Sequence, residues 1–428
     1  MTSREPLSTE PYKGVRDFYP ADWAKMQYVF DTVRTVLRRN GYEEYQASPL
    51  ERAELYESKT SEEIVSGQTY TFTDRGDRRV TLRPEMTPSL ARMVAGKRRE
   101  LVFPIRWFSI GNRFRYERPQ RGRLREFYQV DVDIVGIEGG KAEGEAIIRA
   151  HQILSALGAK NENFEIRINS RALVNAACRE LQLSDEETLA YIALVDRKEK
   201  MDAAAFEAER EAFRRNGTDP LELVEANTVP EIAQERARIE ALIAALSARG
   251  ISNAVFSPTL MRGFLYYTGT VFEVFDTNPE NSRALFGGGR YDGLVSLFGG
   301  EPVPAVGFAF GDVTLLDFLE THNLLPAHLT GAPDIFIGIP DESDMDGVHS
   351  AYAYADALRA QGVNVLMNLS GKSLGDQVKE AVRRTIPYFL AYGSQEAASG
   401  TVTLKVLNES HEETLSVDAV AAFITSTK

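Results

Sequence analysis

The chain has 428 residues, more than the roughly 250 to 300 that one hydrophobic core supports, so we expect two or three domains. No run approaches the ~20 apolar residues of a membrane span, and the polar N-terminus lacks a secretion signal, so we expect a soluble cytoplasmic protein without a membrane partner. A net charge of −13 excludes a generally basic surface, so DNA is not expected as a partner and any RNA contact must be local.

The first third of the chain predicts one helix followed by strands. Apolar residues recur at helical spacing from Pro20 to Arg39, and Gly41 follows as a helix-ending residue. The segment GYEEYQASPL predicts a strand that ends at Pro49 on a sheet edge, because proline cannot donate to a central ladder. After it, TYTFTDRGDRRVTLRP predicts a hairpin, and IRWFSIGNRFRYE and EFYQVDVDIVG predict two antiparallel neighbours.

The middle of the chain returns to helix and then to strand. A helix is predicted from Gly140 to about Gly158, followed by the strand FEIRINS. Residues of about 171–250 are rich in Ala, Glu, Leu and Arg, which predicts a helical insertion. Strand signals resume at NAVFSPTL and GTVFEVFD, and the glycine run GGGRYDGL precedes PAVGFAFGDVTLLDFL, a strand entering a helix. We therefore expect one sheet-based domain over residues 1–330.

The C-terminal part has a different pattern. After the linker LLPAHLTGAPD, short apolar strands alternate with helices through DIFIGIP, HSAYAYADALRAQG, VNVLMN, KSLGDQVKEAVRRT, IPYFLAYG and TVTLKVL. Alternation of this kind predicts an α/β layer domain with a parallel-type sheet. We place it at residues 331–428.

The cysteine and histidine content bounds the redox and metal chemistry. Cys178 is the one cysteine, which excludes an internal disulfide framework and a cysteine-clustered zinc site. It lies in the amphipathic segment LVNAACRELQL, which favours a buried apolar role over a reactive thiol. The histidines are scattered without ligand spacing, so no metal held by protein side chains is expected.

A cluster of arginines follows the first of the two long antiparallel strands. It comprises Arg113, Arg115, Arg118, Arg121, Arg123 and Arg125. Guanidinium groups match phosphate oxygens in a rigid fork, so the cluster indicates a polyphosphate site, with a solvated charged hairpin as the alternative. Arg115 and Glu117 alternate with Phe114 and Tyr116, which places both charges on one strand face. Charges on a half-buried face favour the functional interpretation.

Two further segments are candidates for a binding site. LMRGFLYYTGTVFEVF places an arginine and two tyrosines before an apolar strand, and the tyrosines are equally consistent with sheet packing. GGGRYDGL permits close backbone approach to a ligand, although it has the spacing of neither a Rossmann fingerprint nor a Walker loop. Each segment alone is weak evidence.

Taken in order, four motifs resemble the histidyl-tRNA synthetases: TLRPEMTPSLARM, FRYERPQRGRLREFYQVDVDIVG, the segment from Arg262 to Tyr267, and GGGRYDGL. The resemblance runs from YKGVRDFYP to TVTLKVL. It implies an α+β fold, with an antiparallel-sheet class II synthetase catalytic domain that carries a helical insertion, and a C-terminal α/β anticodon-binding domain. It also implies a homodimer, built in part by the strand at Pro49.

The resemblance implies ATP-dependent ligation of L-histidine to tRNA(His) through a histidyl-adenylate. The histidine-binding positions it implies are Glu85, Thr87, Arg115, Gln129, Asp133, Arg262, Tyr266 and Tyr267. Glu85 would accept a hydrogen bond from the ammonium group, assisted by Thr87 and Gln129. Asp133 would receive an imidazole N–H, while the tyrosine pair would shape the other side of the ring.

For ATP, the resemblance assigns Arg115 to the α-phosphate, Glu117 to adenine, Phe127 to the face of the base and Arg123 to the terminal phosphates. Arg262 would bridge the histidine carboxylate and the α-phosphate, so Arg115 and Arg262 are the expected catalytic residues. Mg²⁺ is expected to arrive with ATP, where it neutralises the β- and γ-phosphates.

Two positions depart from the family pattern. Leu265 stands where an aspartate usually precedes the tyrosine pair. Val313 and Thr314 stand where the third class II motif usually carries glutamate and arginine. The second departure removes the usual γ-phosphate contact.

Two other functions compete with this interpretation. The first is the noncatalytic, histidine-sensing regulatory subunit of ATP phosphoribosyltransferase, which shares the synthetase-like core. This chain keeps Arg115, Gln129 and Arg262 and adds a terminal α/β domain that this subunit generally lacks. The second is another amino acid ligase of the same class, from which the Arg262 and tyrosine segment distinguishes this chain.

Overall fold

The computed structural model describes residues 7–57, 68–198, 201–262, 266–281, 283–326, 329, 331–368, 371–409 and 411–426. These residues divide into two compact units. The first comprises the chain up to Asp17 together with Met26–Pro326, and the second comprises Phe18–Lys25 and the chain from residue 327 onward. No helix in the described ranges is long and apolar enough to cross a membrane.

The first unit is built on strands that form two sheets. They are β1 (Glu43–Glu44), β2 (Leu50–Arg52), β3 (Tyr70–Thr73), β4 (Arg79–Leu82), β5 (Ile105–Phe114), β6 (Glu126–Val135), β7 (Phe164–Ser170), β8 (Ala254–Phe256), β9 (Thr270–Asp276), β10 (Ala284–Arg290) and β11 (Ala305–Gly311). The larger sheet has eight strands in the order β1-β5-β6-β11-β10-β9-β7-β8. Its pairs from β5 to β7 are antiparallel, and short β1 and β8 lie parallel to their neighbours at the two edges. The predicted antiparallel sheet is confirmed.

The smaller sheet has the order β2-β4-β3, in which β3 and β4 form the predicted hairpin. The single strand predicted for GYEEYQASPL is wrong in extent. Only Glu43–Glu44 pairs with the large sheet, and the chain then crosses to the small sheet at Leu50–Arg52. Pro49, which lacks an N–H donor, lies between the two strands and accepts from the Arg83 backbone through its carbonyl.

The helices of the first unit cover the sheets and form the predicted helical segment. They are α1 (Pro20–Arg39), α2 (Glu54–Glu57), α3 (Thr87–Lys97), α4 (Lys141–Ala156), α5 (Arg171–Glu180), α6 (Asp185–Asp196), α7 (Ala203–Arg210), α8 (Pro220–Ala226), α9 (Pro230–Ser247) and α10 (Asp312–Thr321). Helix α1 has the predicted bounds and buries Met26, Val29, Val33 and Leu37 at helical spacing.

Helices α5 to α8 share a small core of their own, which explains why this segment folds as helices. Its helix starts are set by side-chain caps: Ser184 accepts from the Glu187 backbone and Asp219 accepts from the Leu221 backbone. Cys178 is buried in this core, as predicted, and burial raises the pKa of its thiol to about 11. A thiol of this kind stays protonated at neutral pH.

The second unit contains one sheet flanked by helices. Its strands are β12 (Ile335–Gly338), β13 (Val365–Met367), β14 (Tyr388–Ala391), β15 (Thr401–Val406) and β16 (His411–Ser416), and its helices are α11 (Met345–Ala360), α12 (Leu374–Arg383), α13 (Ser394–Ser399) and α14 (Val420–Ser426). The order is β13-β12-β14-β15-β16. The parallel-type prediction is correct for β13, β12 and β14 and wrong for β15 and β16, which are antiparallel.

Candidate active site

A cavity of about 300 Å³ opens on one face of the large sheet. All eight residues predicted to bind histidine line it: Glu85, Thr87, Arg115, Gln129, Asp133, Arg262, Tyr266 and Tyr267. They come from four separate stretches of the chain, so the fold brings together residues that are far apart in the sequence. Arg123 lines the same cavity, whereas Glu117 and Phe127 lie outside its lining.

The floor of the cavity is one face of β6. Gln129, Asp131 and Asp133 alternate along this strand, and Gln129 Nε2 donates to Asp131 Oδ1 at 2.7 Å. Asp131 in turn forms a buried ion pair with Arg113 of β5, with 2.5 Å between Nη2 and Oδ2. Arg113 is thus neutralised inside the protein and does not belong to a polyphosphate site.

Asp133 has one occupied and one open carboxylate oxygen. Tyr291 donates to Asp133 Oδ1, while Oδ2 is buried and has no hydrogen-bond partner among the described residues. Burial raises the pKa of Asp133 to about 8, an effect that the Tyr291 hydrogen bond partly opposes. A buried carboxylate oxygen without a partner is costly, so a ligand N–H at this point would be stabilised.

The opposite wall is formed by Glu85 and the tyrosine pair. Tyr266 donates to Glu85 Oε2 at 3.1 Å, and the rings of Tyr266 and Tyr267 lie 4.9 Å apart. The ring of Tyr291 meets Tyr266 edge-on at 5.9 Å. The pair therefore packs in a core and also lines the cavity, and its role in binding stays a prediction.

Arg262 reaches into the cavity from the loop before β9. Its Nη1 contacts Glu273 Oε1 at 3.5 Å, and its guanidinium lies over the Tyr267 ring at 5.4 Å. Arg262 Nε is buried without a hydrogen-bond partner in the described parts of the chain. Behind the loop, Arg171 donates to the Arg262 carbonyl at 3.2 Å, which fixes the backbone of this arginine.

The glycine run lies inside β10 and makes room for these side chains. A Cβ at Gly287 would lie 1.8 Å from Arg262 Nη1, and a Cβ at Gly289 would lie 2.9 Å from the Tyr267 ring. On β11, a Cβ at Gly307 would lie 2.1 Å from Asp133 Oδ1. A Cβ at these positions would also meet the backbone carbonyls of Phe272, Thr270 and Val132 at less than 3.0 Å, so close packing between strands, and not a turn, requires these glycines.

Of the expected ATP residues, Arg115 and Arg123 line the cavity, whereas Glu117 and Phe127 lie outside its lining. Arg115 Nε donates to the Pro84 carbonyl at 3.0 Å, and its guanidinium lies 5.3 Å from the centre of the Phe127 ring. The expectation that Arg115 and Glu117 share a strand face is wrong, because β5 ends at Phe114 and both lie in the loop. Arg123 Nη1 pairs with Glu117 Oε2 at 3.2 Å.

The arginine loop (118–125) is only partly available to a ligand. Arg125 donates to the Glu117 carbonyl at 3.2 Å and lies 4.1 Å from the centre of the Tyr116 ring, so it has a structural role. Arg121 donates to Asn281 at 3.1 Å. At the start of α10, the Thr314 hydroxyl donates to the Leu285 carbonyl at 2.9 Å. The other departure, Leu265, lies outside the described residues.

Sequence reasoning missed three polar residues that line the cavity: Asp131, Glu273 and Tyr291. Asp131 could have been found from its position between Gln129 and Asp133 on the same strand face. Tyr291 is in the quoted motif GGGRYDGL, and Glu273 is in GTVFEVFD, but nothing in their spacing reveals Tyr291's contact with Asp133 or Glu273's with Arg262. Within the described residues no cluster of three or more His, Cys, Asp or Glu side chains could hold a metal ion.

Known proteins share this architecture. The family model for histidyl-tRNA synthetase matches residues 14–314, and the model for an anticodon binding domain matches residues 339–427. Histidine–tRNA ligase from Leptospira biflexa is 40% identical over 422 residues, covering 96% of each chain. The enzyme named histidine–tRNA ligase in Natronomonas pharaonis is 37% identical over 406 residues, covering 92% of each chain.

The crystal structure of histidyl-tRNA synthetase from Nostoc sp. PCC 7120 superimposes with a TM-score of 0.79 at 24% identity, covering 98% of this chain and 100% of the other. At that identity the superposition speaks for the fold alone. The histidyl-tRNA synthetase model spans the residues that line the cavity, and the two sequence relatives also cover the C-terminal unit. The chain therefore belongs to the histidyl-tRNA synthetase family.

Proposed function

We propose that this protein joins L-histidine to tRNA(His) in two steps, through a histidyl-adenylate formed from ATP. The observation that carries the proposal is a pair of buried polar atoms in one cavity, Asp133 Oδ2 and Arg262 Nε, that lack partners among the described residues. Asp133 Oδ2 is an acceptor when the carboxyl group is ionised, and Arg262 Nε is a donor. Histidine, with an imidazole N–H and a carboxylate, supplies a partner to each.

Histidine would be recognised through polar contacts at two of its groups, the imidazole ring and the ammonium group. Asp133 accepts the imidazole N–H, and its orientation is held by Tyr291. Glu85, already bonded to Tyr266, accepts from the ammonium group with help from Thr87 and Gln129. A site built around such hydrogen bonds rejects amino acids that lack them far better than an apolar pocket rejects a missing methylene.

In the first step, a histidine carboxylate oxygen attacks the α-phosphorus of ATP, and the bond from that phosphorus to the β-phosphate oxygen breaks. Negative charge grows on the α-phosphate oxygens and on departing pyrophosphate. Arg115 and Arg262 line the cavity where the carboxylate and the α-phosphate meet, and preorganised cations there stabilise the developing charge. In the second step the tRNA terminal hydroxyl attacks the adenylate carbonyl, and AMP leaves.

ATP would lie toward the arginine loop. Phe127, with the Arg115 guanidinium beside its ring, offers a surface for the adenine base, and Glu117 an acceptor for its amino group. Arg123 contacts the terminal phosphates. Mg²⁺ enters as part of the substrate, bound to the β- and γ-phosphates.

The domain assignment follows from the same proposal. Residues 1–330 form the catalytic domain, with the helical insertion at about 171–250, and residues 331–428 form the anticodon-binding domain. A regulatory subunit of ATP phosphoribosyltransferase is not favoured, because the anticodon-binding model matches residues 339–427. The compartment that fits tRNA charging is the cytoplasm.

A homodimer is supported by an exposed apolar surface on the small sheet. The strand register places Leu50, Tyr70 and Leu82 side by side on one face, next to Phe72 and Val80. Leu50 is 44% exposed and Phe72 is 49% exposed. Because contiguous apolar surface marks interfaces, this face is where a second copy would bind. Phe72→Glu should shift the protein toward monomer in analytical ultracentrifugation.

Histidine-dependent exchange of pyrophosphate into ATP tests the first step, and charging of tRNA(His) transcript tests the second. We expect both activities, and exchange that depends on histidine and no other amino acid. Absence of exchange with histidine would refute the proposal. Charging without a preference for tRNA(His) would refute the assignment of the second substrate.

A further inference from the structure

The start of α10 lacks a side-chain cation beside the arginine loop. Thr314 occupies this position, and its hydroxyl donates to the Leu285 carbonyl at 2.9 Å. A neutral hydroxyl that is already bonded to the backbone offers neither charge nor a two-pronged donor to a phosphate. Under the proposed function, the terminal phosphates of ATP need a cation from elsewhere in the chain.

Most of the loop arginines already have partners within the protein. Arg121 donates to Asn281 at 3.1 Å and lies 3.8 Å from Asp317 Oδ2. Arg125 donates to the Glu117 carbonyl at 3.2 Å. Arg123 pairs with the Glu117 side chain at 3.2 Å, which offsets part of its charge. The loop is therefore a weaker source of cations than its composition suggests.

Arg283, just before β10, lies at the same point as Thr314. Measured from the position that a Cβ would have at Gly122, Arg283 Cδ is 3.5 Å away and Thr314 Cγ2 is 3.6 Å away. The two side chains thus approach one residue of the arginine loop, from the strand and from the helix. Gly122 has a φ of +76°, a conformation that favours glycine and keeps this point open.

The same point lies at the rim of the cavity. The chain neighbour of Arg283, Ala284, and the chain neighbour of Gly122, Arg123, both line the cavity. Arg283 is exposed, and within the described ranges it makes no hydrogen bond or ion pair. Its guanidinium is therefore free to bind an anion without breaking an existing contact.

We propose that Arg283 binds the terminal phosphates of ATP and supplies the cation that the start of α10 lacks in this chain. This inference rests on the proposed function, because it assumes that ATP binds between the arginine loop and the cavity. Guanidinium forks fit phosphate oxygens, and both arginines lie next to Gly122: Arg283 packs against it, and Arg123 follows it in the chain and lines the cavity.

The test compares binding of ATP and AMP, since AMP lacks the β- and γ-phosphates. Arg283→Ala should weaken Mg-ATP binding roughly ten- to hundredfold, while AMP binding stays unchanged. Arg283→Lys should recover part of the loss. In pyrophosphate exchange, the KM for ATP should rise and the KM for histidine should not.

The decisive variant restores an arginine on the helix. Because Thr314 reaches the same point, Thr314→Arg added to Arg283→Ala should recover most of the ATP affinity. Arg99→Ala, which removes an exposed arginine just past α3, is the charge-matched control and should bind ATP like the unmodified protein.

Three results would overturn the inference. They are an unchanged ATP affinity in Arg283→Ala, an equal loss of affinity for ATP and AMP in that variant, or a loss of ATP affinity of the same size in Arg99→Ala. If the unmodified protein showed no histidine-dependent exchange, the proposed function would fail, and the nucleotide titrations would still decide the role of Arg283.

Discussion

Arg262 has a backbone and a guanidinium face that are held by neighbours, and a guanidinium nitrogen that has no partner among the described residues. Its carbonyl accepts from Arg171, its guanidinium lies over the Tyr267 ring, and its Nε has no partner among the described residues. We predict that Arg262→Ala lowers histidine-dependent pyrophosphate exchange about hundredfold or more, because a preorganised transition-state cation is lost. Exchange at saturating histidine is the measurement, with circular dichroism as the folding control. Exchange within a few fold of the unmodified protein would remove Arg262 from the mechanism.

We predict that Asp133 makes histidine recognition depend on pH. Burial raises its pKa to about 8, so below that pH the free protein holds this carboxyl mostly protonated. The ionised form is the better acceptor for an imidazole N–H, so kcat/KM for histidine should rise as pH increases toward about 8 and then level off. Asp133→Asn cannot ionise, and its lower activity should lose this rise. The same slope in both proteins would assign the titration to another group.

Substitutions at Arg123 and Thr314 should distinguish a charged contact with ATP from a contact that only supports the structure. Arg123 lines the cavity, so Arg123→Ala should strongly raise the KM for ATP and leave that for histidine nearly unchanged. The Thr314 hydroxyl bonds only to backbone carbonyls, so Thr314→Ala should be nearly silent in exchange and cost about 1 kcal/mol of stability or less. Steady-state exchange across ATP concentrations measures both. A loss of exchange activity in Thr314→Ala as large as that expected from losing a catalytic arginine would contradict this prediction.

At the scale of the element, the glycines of β10 leave space for the side chains of neighbouring residues. A methyl group at Gly287 would meet Arg262 Nη1 at 1.8 Å and the Phe272 carbonyl at 2.5 Å. We predict that Gly287→Ala abolishes exchange and lowers the melting temperature by several degrees, since overpacking costs about 1 to 3 kcal/mol. Gly293→Ala is the matched control, because nothing lies within 4 Å of its Cβ position. Equal activity of the two variants would show that the strand can shift to accommodate the methyl group.

The elements that sequence reasoning predicted well are those with a clear period. Helix α1 and the pair β5 and β6 follow from apolar spacing. The structure divides into two units, of which the second includes Phe18–Lys25 as well as the chain from residue 327, and the domain bounds stay a prediction. The strand at Pro49 was wrong because pairing switches sheets there, a choice made by distant partners. Strand β16 was not predicted because its sequence, HEETLS, is mostly polar. It is an edge strand that pairs with β15 along one side.

The resemblance of the motifs named eight residues that the fold brings to one cavity, and their role in binding histidine stays a prediction. It did not show that Arg113 is neutralised by Asp131 or that Tyr291 bonds Asp133 across 158 residues of sequence. Such pairings depend on strand order, which local pattern does not encode.

At the scale of the whole molecule, the two units predict separable functions. The second unit has its own core, built on β12, β14 and β15, and its sheet shares no strand with the large sheet. Truncation after Pro326 should therefore spare pyrophosphate exchange more than tRNA charging, provided that the dimer survives. Exchange, charging and sedimentation are measured on one preparation. A truncated dimer that charges tRNA as well as the intact chain would refute the anticodon role of residues 331–428.

The glycines of β10 and β11 also bear on how this pocket could evolve. A side chain added at Gly287, Gly289 or Gly307 would clash with Arg262, Tyr267 or Asp133, so a substitution at these glycines would displace residues that line the cavity. Space for a larger amino acid would have to come from Tyr266 or Tyr291, and each of these is bonded to a carboxylate. Widening the pocket thus releases Glu85 or Asp133 from its orientation. The packing around the cavity therefore resists a change of amino-acid specificity, which would require several simultaneous substitutions.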